Sequence, residues 1–292
     1  FTPARFEKVF LQWMENLRDW NVSRQIPWGI PIPGDEEQVF DTWFSSGQWP
    51  FVTLQATKKG DFEYFYPTTV METGADIIFF WVARMVMLGI YITGKTPFKS
   101  VYLHGLVRDK DKQKMAKSKG NVVNPLGVIE EHGADALRMA LVFANSPGQD
   151  IAFSEEKIIA QKKFANKIWN AARFVITQTE SFQFSIFNFQ KKTKADEEII
   201  NALQETTASM TKDIDNFQFH EAAQKIYHFF WHTFCDVYIE QCKKENNPEV
   251  LLFVLRESLK LLHPFMPFIT EQIYQMLPNK EKPALIIETW PK

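Results

Sequence analysis

The segment 108–121 places Lys110, Lys112, Lys114, Lys117 and Lys119 within ten residues. Ammonium groups on flexible stems are mobile point charges, suited to following a polyanion as charge migrates in phosphoryl or nucleotidyl transfer. A solvated loop kept soluble by its lysines has the same composition, so position has to separate the two readings. A Walker-type phosphate loop is excluded. It needs glycine-rich backbone before its lysine, whereas no glycine precedes Lys114 by four or five residues and Gly120 comes after the lysines.

The elements before the loop favour the phosphate reading. Residues 100–107 are short, β-branched and apolar, as in a buried strand. Residues 76–88 follow Thr73-Gly74-Ala75, stop at Gly89 and are apolar on nearly every face, which predicts a buried helix. A helix before such a strand implies a parallel crossover, and open parallel sheets bind ligands beyond the carboxyl ends of their strands. The lysines begin at that end. Residues 3–19 read as a further helix. After Ser154 the pattern changes to amphipathic helices over 155–182, 196–217, 219–243, 248–262 and 268–277, with one long loop at 182–195. The expected fold is α/β over 1–150 followed by an all-α helical bundle over 151–292.

Composition narrows the class. The 292 residues are 45% hydrophobic, enough for two packed cores. The formal net charge is −2 and neither half is basic overall, so any nucleic-acid contact must be a local patch. Cys235 and Cys242 lack further ligands nearby to complete a metal site; core thiols and no bound metal are expected. No apolar run approaches the roughly 20 residues of a membrane span, and the first residues lack a signal layout. A cytoplasmic protein with no membrane partner is expected. The chain starts without Met inside a helical pattern, which reads as a cut from something longer.

The motifs themselves carry a family resemblance over essentially the whole chain. Lys114-Met115-Ala116-Lys117-Ser118-Lys119-Gly120-Asn121 resembles the Lys-Met-Ser-Lys-Ser motif of class I aminoacyl-tRNA synthetases, with Ala116 in place of the first serine. Asn124-Pro125 and Gly133-Ala134-Asp135-Ala136-Leu137-Arg138 are similar to the segment that follows it in the valyl, isoleucyl and leucyl group. Residues 19–33 resemble the point where that group's editing domain returns to the core. Phe40-Asp41-Thr42-Trp43-Phe44-Ser45-Ser46 and the run 73–85 resemble the valyl members, whereas an isoleucyl one would carry a Gln-His-Arg-Gly run after Asp76.

What the resemblance implies is specific. The fold is the C-terminal half of a Rossmann-like class I catalytic domain with an anticodon-binding bundle. Lys114 and Lys117 are the catalytic cations. Lys117, Ser118, Asp76, Gly74 and His104 bind ATP, which brings Mg²⁺. Trp43, Ile77 and Trp81 form the valine pocket; rigid indoles on one helix face with Ile77 suit a small cavity, although aromatics on an apolar helix are more often core. Lys163, Lys167 and Arg173 contact tRNA(Val) phosphates. The implied activity is ATP-dependent ligation of valine to tRNA, by a monomer or with the N-terminal half of the enzyme. An apolar pocket of this kind rejects a hydroxyl isostere by only about a hundredfold, the known figure for valyl enzymes against threonine, so the editing domain matters. The family's opposing His-x-Gly-His motif is not formed by His104, His132, His220, His228, His232 or His263, and is expected upstream of Phe1 with the editing domain. Two alternatives stay open: another branched-chain synthetase, or a noncatalytic tRNA-binding module or one chain of a split enzyme.

Overall fold

The computed structural model describes residues 1–143, 145–179, 193–244, 247–278 and 280–292. They divide into two compact units, Phe1–Val107 with Pro147–Asp150, and Arg108–Ser146 with Ile151–Lys292. The lysine segment therefore packs with the helical unit.

The first unit opens with α1 (Arg5–Glu15), shorter than the expected 3–19. A three-stranded antiparallel sheet follows, β1 (Ser23–Arg24), β2 (Pro31–Ile32) and β3 (Asp35–Phe40), in the order β1-β3-β2. The β2–β3 turn passes through Gly34 at φ 83°, a left-handed backbone that glycine adopts without cost. Short helices α2 (Thr42–Ser46), α3 (Trp49–Ala56) and α4 (Asp61–Phe65) lead to the parallel pair β4 (Thr68–Gly74) and β5 (Phe98–His104), in register from Thr68↔Phe98 to Gly74↔His104. Thr2 bridges Tyr102 on the far side of β5. The predicted crossover is present, with its second strand beginning two residues earlier than read and ending at His104.

The connecting helix differs from expectation in three ways. It is not one α-helix: a tight 3₁₀ turn at Ala75–Ile77 and a wide π turn at Ile78–Ala83 precede α5 (Arg84–Thr93). Gly89 does not stop it. The helix runs through Gly89, where a Cβ would come within 2.9 Å of the Tyr66 hydroxyl, and ends at Gly94, whose φ of 73° supplies the left-handed cap. Nor is it buried all round. Ile78, Val82 and Met85 join Met71, Val101 and Leu103 in the core, while Phe80, Ile90, Tyr91 and Ile92 are exposed. Running through Gly89 also gives a stretch, Ala75–Thr93, of 19 residues that is long and apolar enough to cross a membrane by length and composition, contrary to the expectation above. Here it packs one face on a parallel sheet and carries Arg84 buried within it.

The second unit is built of helices α6 (Pro125–His132), α7 (Ala134–Val142), α8 (Glu155–Thr179), α9 (Lys194–Asp215), α10 (Phe219–His228), α11 (Ile239–Cys242), α12 (Pro248–Leu262) and α13 (Pro267–Met276). A ten-residue π-type stretch, Phe229–Tyr238, joins α10 to α11. Phe164, Ile168 and Val175, spaced at four and seven on α8, are fully buried, and each contributes about 1.5–3 kcal/mol by leaving water. Most of the expected loop at 182–195 lies outside the described residues. Its last residues belong to α9: Thr193 and Asp196 form a reciprocal capping box. The buried Asp196 carboxylate also accepts from the Tyr238 hydroxyl and from Asn247 Nδ2 at 2.8 Å. Asp135 does a similar task at longer range, accepting from the amides of Phe268 and Ile269 at 3.2 and 2.7 Å at the start of α13. Arg138 Nη2 donates to Pro264 O at 3.1 Å. The family-like segment 133–138 is thus hydrogen-bonded to the residues at and just before the start of α13. Both cysteines are free and buried, and burial pushes the Cys235 thiol up to about 12.

Candidate active site

The lysine segment is a folded loop with its charges outside. Asp109 and Gln113 close its first turn, with the Asp109 amide donating to Gln113 O at 3.0 Å and the Lys112 amide returning to Asp109 O. Lys112 sits at φ 61°, a left-handed conformation that costs an L-residue about 1–2 kcal/mol. Asp109 Oδ1 offsets this by accepting the amides of Asp111 and Gln113 at 3.0 and 2.7 Å. Its Oδ2 accepts Asn121 Nδ2 at 2.7 Å, and Asn121 Oδ1 accepts the Ala116 amide at 2.9 Å. The bond to Asn121, then the amide of Gln113 and the charge of Lys119 among others, hold the Asp109 carboxyl below the usual range. Lys117–Lys119 form a 3₁₀ turn closed by Gly120 at φ 65°. Lys114, Lys117 and Ser118 are exposed. Nothing among the described residues ties down the Lys117 ammonium, so it can swing toward a ligand. Ala116 is held by its backbone N–H and, at the N-cap of this turn, offers it no side-chain cap.

In the first unit the carboxyl ends of β4 and β5 bring Gly74, Asp76 and His104 together. A Cβ on Gly74 would lie 2.7 Å from Asp76 Oδ1 and 3.7 Å from His104 Cε1, so only glycine leaves this corner open. Asp76 is exposed in the first turn after Gly74, which makes no side-chain cap. His104 is oriented by Gly105 O at 2.7 Å from Nδ1 and by Glu72 at 3.2 Å from Nε2.

The three pocket residues are half-buried and occupy neighbouring elements. Trp43 on α2 stacks on Phe80 with centroids 6.0 Å apart, and Trp81 Nε1 donates to Ser46 O, the last residue of α2, at 3.3 Å. Ile77 ends the 3₁₀ turn. Beneath them lies a charge cluster that the sequence reading missed. Buried Asp41, just before α2, accepts from Trp20 Nε1 at 2.9 Å and faces Arg24 at 3.4 Å and Arg84 at 3.6 Å. The Arg84 guanidinium lies 3.7 Å from the Trp20 ring centre. Burial lowers the Arg84 pKa, opposed by Asp41. A lone arginine within an apolar helix was the available signal, since such a charge requires a buried partner.

On α8, Lys163 and Arg173 are exposed, while Lys167 is committed to Asp236 at 2.7 Å and lies 5.2 Å from the Trp231 ring centre. Lys163 and Lys167 share a helix face; Arg173 is turned roughly 120° from Lys167, so the three do not form one stripe. Among the described residues, Glu131, His132 and Glu155 bring ligand-type atoms within 4.8 Å of one another. His132 Nε2 lies 3.8 and 3.5 Å from the two exposed carboxylates at the end of α6 and the start of α8.

Comparison with known proteins divides the chain later than its compact units do, keeping the lysine segment with the first half. The family of class I tRNA synthetases (I, L, M and V) matches residues 1–35 and 34–154, and the anticodon-binding domain of tRNA ligase matches 196–292. The chain is 43% identical to a valine--tRNA ligase of Anoxybacillus flavithermus and 44% to one of Geobacillus kaustophilus, each alignment spanning 328 positions and all of this chain. It spans 37% of the length of these relatives. The two stretches of the first family match meet at residues 34–35, the β2–β3 turn. Among solved structures, a LeuRS of Agrobacterium radiobacter K84 in a ternary complex with tRNA and LeuAMS has a TM-score of 0.76 at 22% identity, covering 90% of this chain and 34% of its own. Methionyl-tRNA synthetase of Mycobacterium tuberculosis, in complex with methionyl-adenylate, has 0.76 at 20%, covering 93% and 57%. These structures share the fold, a Rossmann-like catalytic half followed by a helical domain. The chain belongs to the class I tRNA synthetases of the I, L, M and V group.

Proposed function

We propose that this chain provides the lysine loop, the amino-acid pocket and the tRNA-reading bundle of an ATP-dependent valine-tRNA ligase. The valine carboxylate attacks the α-phosphate of ATP, pyrophosphate leaves, and the terminal hydroxyl of tRNA(Val) then takes the acyl group. Lys114 and Lys117 stabilise charge on the departing phosphates, with Ser118 in the same turn. Asp76, beside Gly74 and His104 at the strand ends, receives the ribose and adenine side of ATP. Trp43, Ile77 and Trp81 enclose the valine side chain. The observation that carries the reading is the exposed Lys117, on a loop whose backbone is fixed while its charge is not. The identity to curated valine--tRNA ligases supports valine as the substrate.

Mg²⁺ travels with ATP and is held chiefly by phosphate oxygens, in keeping with its preference for near-octahedral oxygen and water ligands. Lys163 and Arg173 serve as tRNA phosphate contacts, and Lys167 joins them on release from Asp236. The working protein is cytoplasmic, as a monomer that includes the opposing histidine motif or with a chain that supplies it. The test is amino-acid-dependent pyrophosphate exchange by the full gene product. Lys117→Ala is expected to lower the rate on the order of 100- to 1000-fold. An unchanged rate removes Lys117 from the chemistry, and a preference for isoleucine over valine removes the Trp43, Ile77 and Trp81 pocket.

A further inference from the structure

We propose that Asp109 and Asn121 are positioning residues for nucleotidyl transfer, a two-residue clasp that sets the base from which Lys114 and Lys117 reach their ligand; this rests on the function proposed above.

The clasp joins the two ends of the loop through both of its side chains. Asp109 on the outgoing arm fixes the left-handed turn at Lys112 through the Asp111 and Gln113 amides. Asn121 on the returning arm holds the Ala116 amide through Oδ1 at 2.9 Å, and its Nδ2 donates to Lys114 O at 3.3 Å as well as to Asp109 Oδ2 at 2.7 Å. Every bond made by Asn121 ends on the backbone of Lys114, on that of a neighbour of Lys117, or on the other clasp residue. None uses a lysine side chain. The loop's backbone is thereby preorganised while the Lys117 ammonium stays mobile, the combination that charge stabilisation in a transition state requires. The directions of the bonds also make the pair irreplaceable one residue at a time. In Asp109→Asn, an amide must face the amide of Asn121; turning Asn121 over to accept would aim its Nδ2 at the Ala116 N–H, two donors together.

The donor and acceptor roles can be exchanged, and this provides the test. Asp109→Asn in the full gene product is expected to lower kcat for pyrophosphate exchange by about ten- to a hundredfold, the scale of small misplacements of a catalytic group, with the KM for valine unchanged. Asn121→Asp alone sets two carboxylates against each other and is expected to do the same. The exchanged pair, Asp109→Asn with Asn121→Asp, again sets an amide donor against a carboxylate, now in the reverse direction, and keeps an acceptor for the Ala116 amide, giving up only the longer bond to Lys114 O. It is expected to recover most of the rate. Hydrogen exchange at the Gln113 and Ala116 amides should speed up in each single variant and slow again in the exchanged pair. The thermal midpoint should stay constant throughout, because the loop is exposed. Wild-type rates in both single variants, or a double variant no faster than the slower single one, would overturn the clasp. Lys117→Ala run beside them separates the two readings: if it abolishes exchange and the clasp variants do not alter it, the positioning claim alone fails.

Discussion

The lysine loop and the aromatic pocket solve the same problem with opposite physics. On the function proposed above, each positions its working side chains through an aspartate that does no chemistry. Asp109 sits at the surface and acts through hydrogen bonds to backbone amides and Asn121; Asp41 is buried and acts through Arg84, Arg24 and the Trp20 indole. The surface clamp leaves the Lys117 tip free to move, as the proposed polyanion site needs. The buried clamp fixes the Trp20 ring, which suits the proposed pocket for a small side chain. The first should therefore govern rate with little effect on stability, and the second should govern stability.

Arg84→Ala is the strongest way to break this contrast. It removes a buried partner of Asp41 and is expected to cost about 3 kcal/mol in urea unfolding, the lower end for a broken buried pair because Trp20 and Arg24 remain. A loss near zero would mean that the pocket is held by ring packing alone. Asp135→Ala sharpens it from within the bundle, where another buried carboxylate holds backbone amides. It should cost about 1–2 kcal/mol by uncapping α13. Acid titration gives a smaller effect. Burial holds the His263 imidazole below its ordinary pKa, against the raising influence of Glu271 and Asp135 and with the lowering one of Arg138. The unfolded chain takes up that proton more readily, so His263 contributes stability that is present above about pH 6.5 and is lost as pH falls. His263→Gln should flatten the thermal midpoint between about pH 7 and 5.5. Asp135 works in the other sense and at lower pH: burial raises its carboxyl, so its stabilisation grows on acidification through the carboxylate range. Cys235 and Cys242 should give no colour with a disulfide reagent in the folded protein at about pH 8 and react fully in denaturant, reflecting their burial.

The sequence made some of this legible and hid the rest for identifiable reasons. The lysine run, the strand 100–107 and the periodic helices are local patterns, and each was found within a few residues of its observed place. Gly89 misled because composition alone does not distinguish a glycine that makes room from one that turns the chain. Gly94 has the positive φ, and Gly89 has the close neighbour. The wide turn at Ile78–Ala83 has no signature in an all-apolar run. Asp41 and Arg84 are 43 positions apart in the chain, beyond the reach of any periodicity. Asp109 and Asn121 lie inside the motif that attracted attention, yet its lysines drew the reading, because charge is visible in a sequence and a hydrogen-bond direction is not.

The turn at Gly34 bears on how such a chain accepts change. Ile32 and Asp35 are paired directly across β2 and β3, and a Cβ added at Gly34 would meet nothing within 4 Å. A folded segment whose ends lie side by side can therefore be grafted at this turn without displacing either strand, and lengthening a flexible connection there costs only about 0.6 kcal/mol per doubling. The family match breaks at this same point, with relatives aligned over more positions than this chain has residues. The hairpin is a socket: a segment added between Ile32 and Asp35 enters and leaves at paired positions and leaves both strands in place.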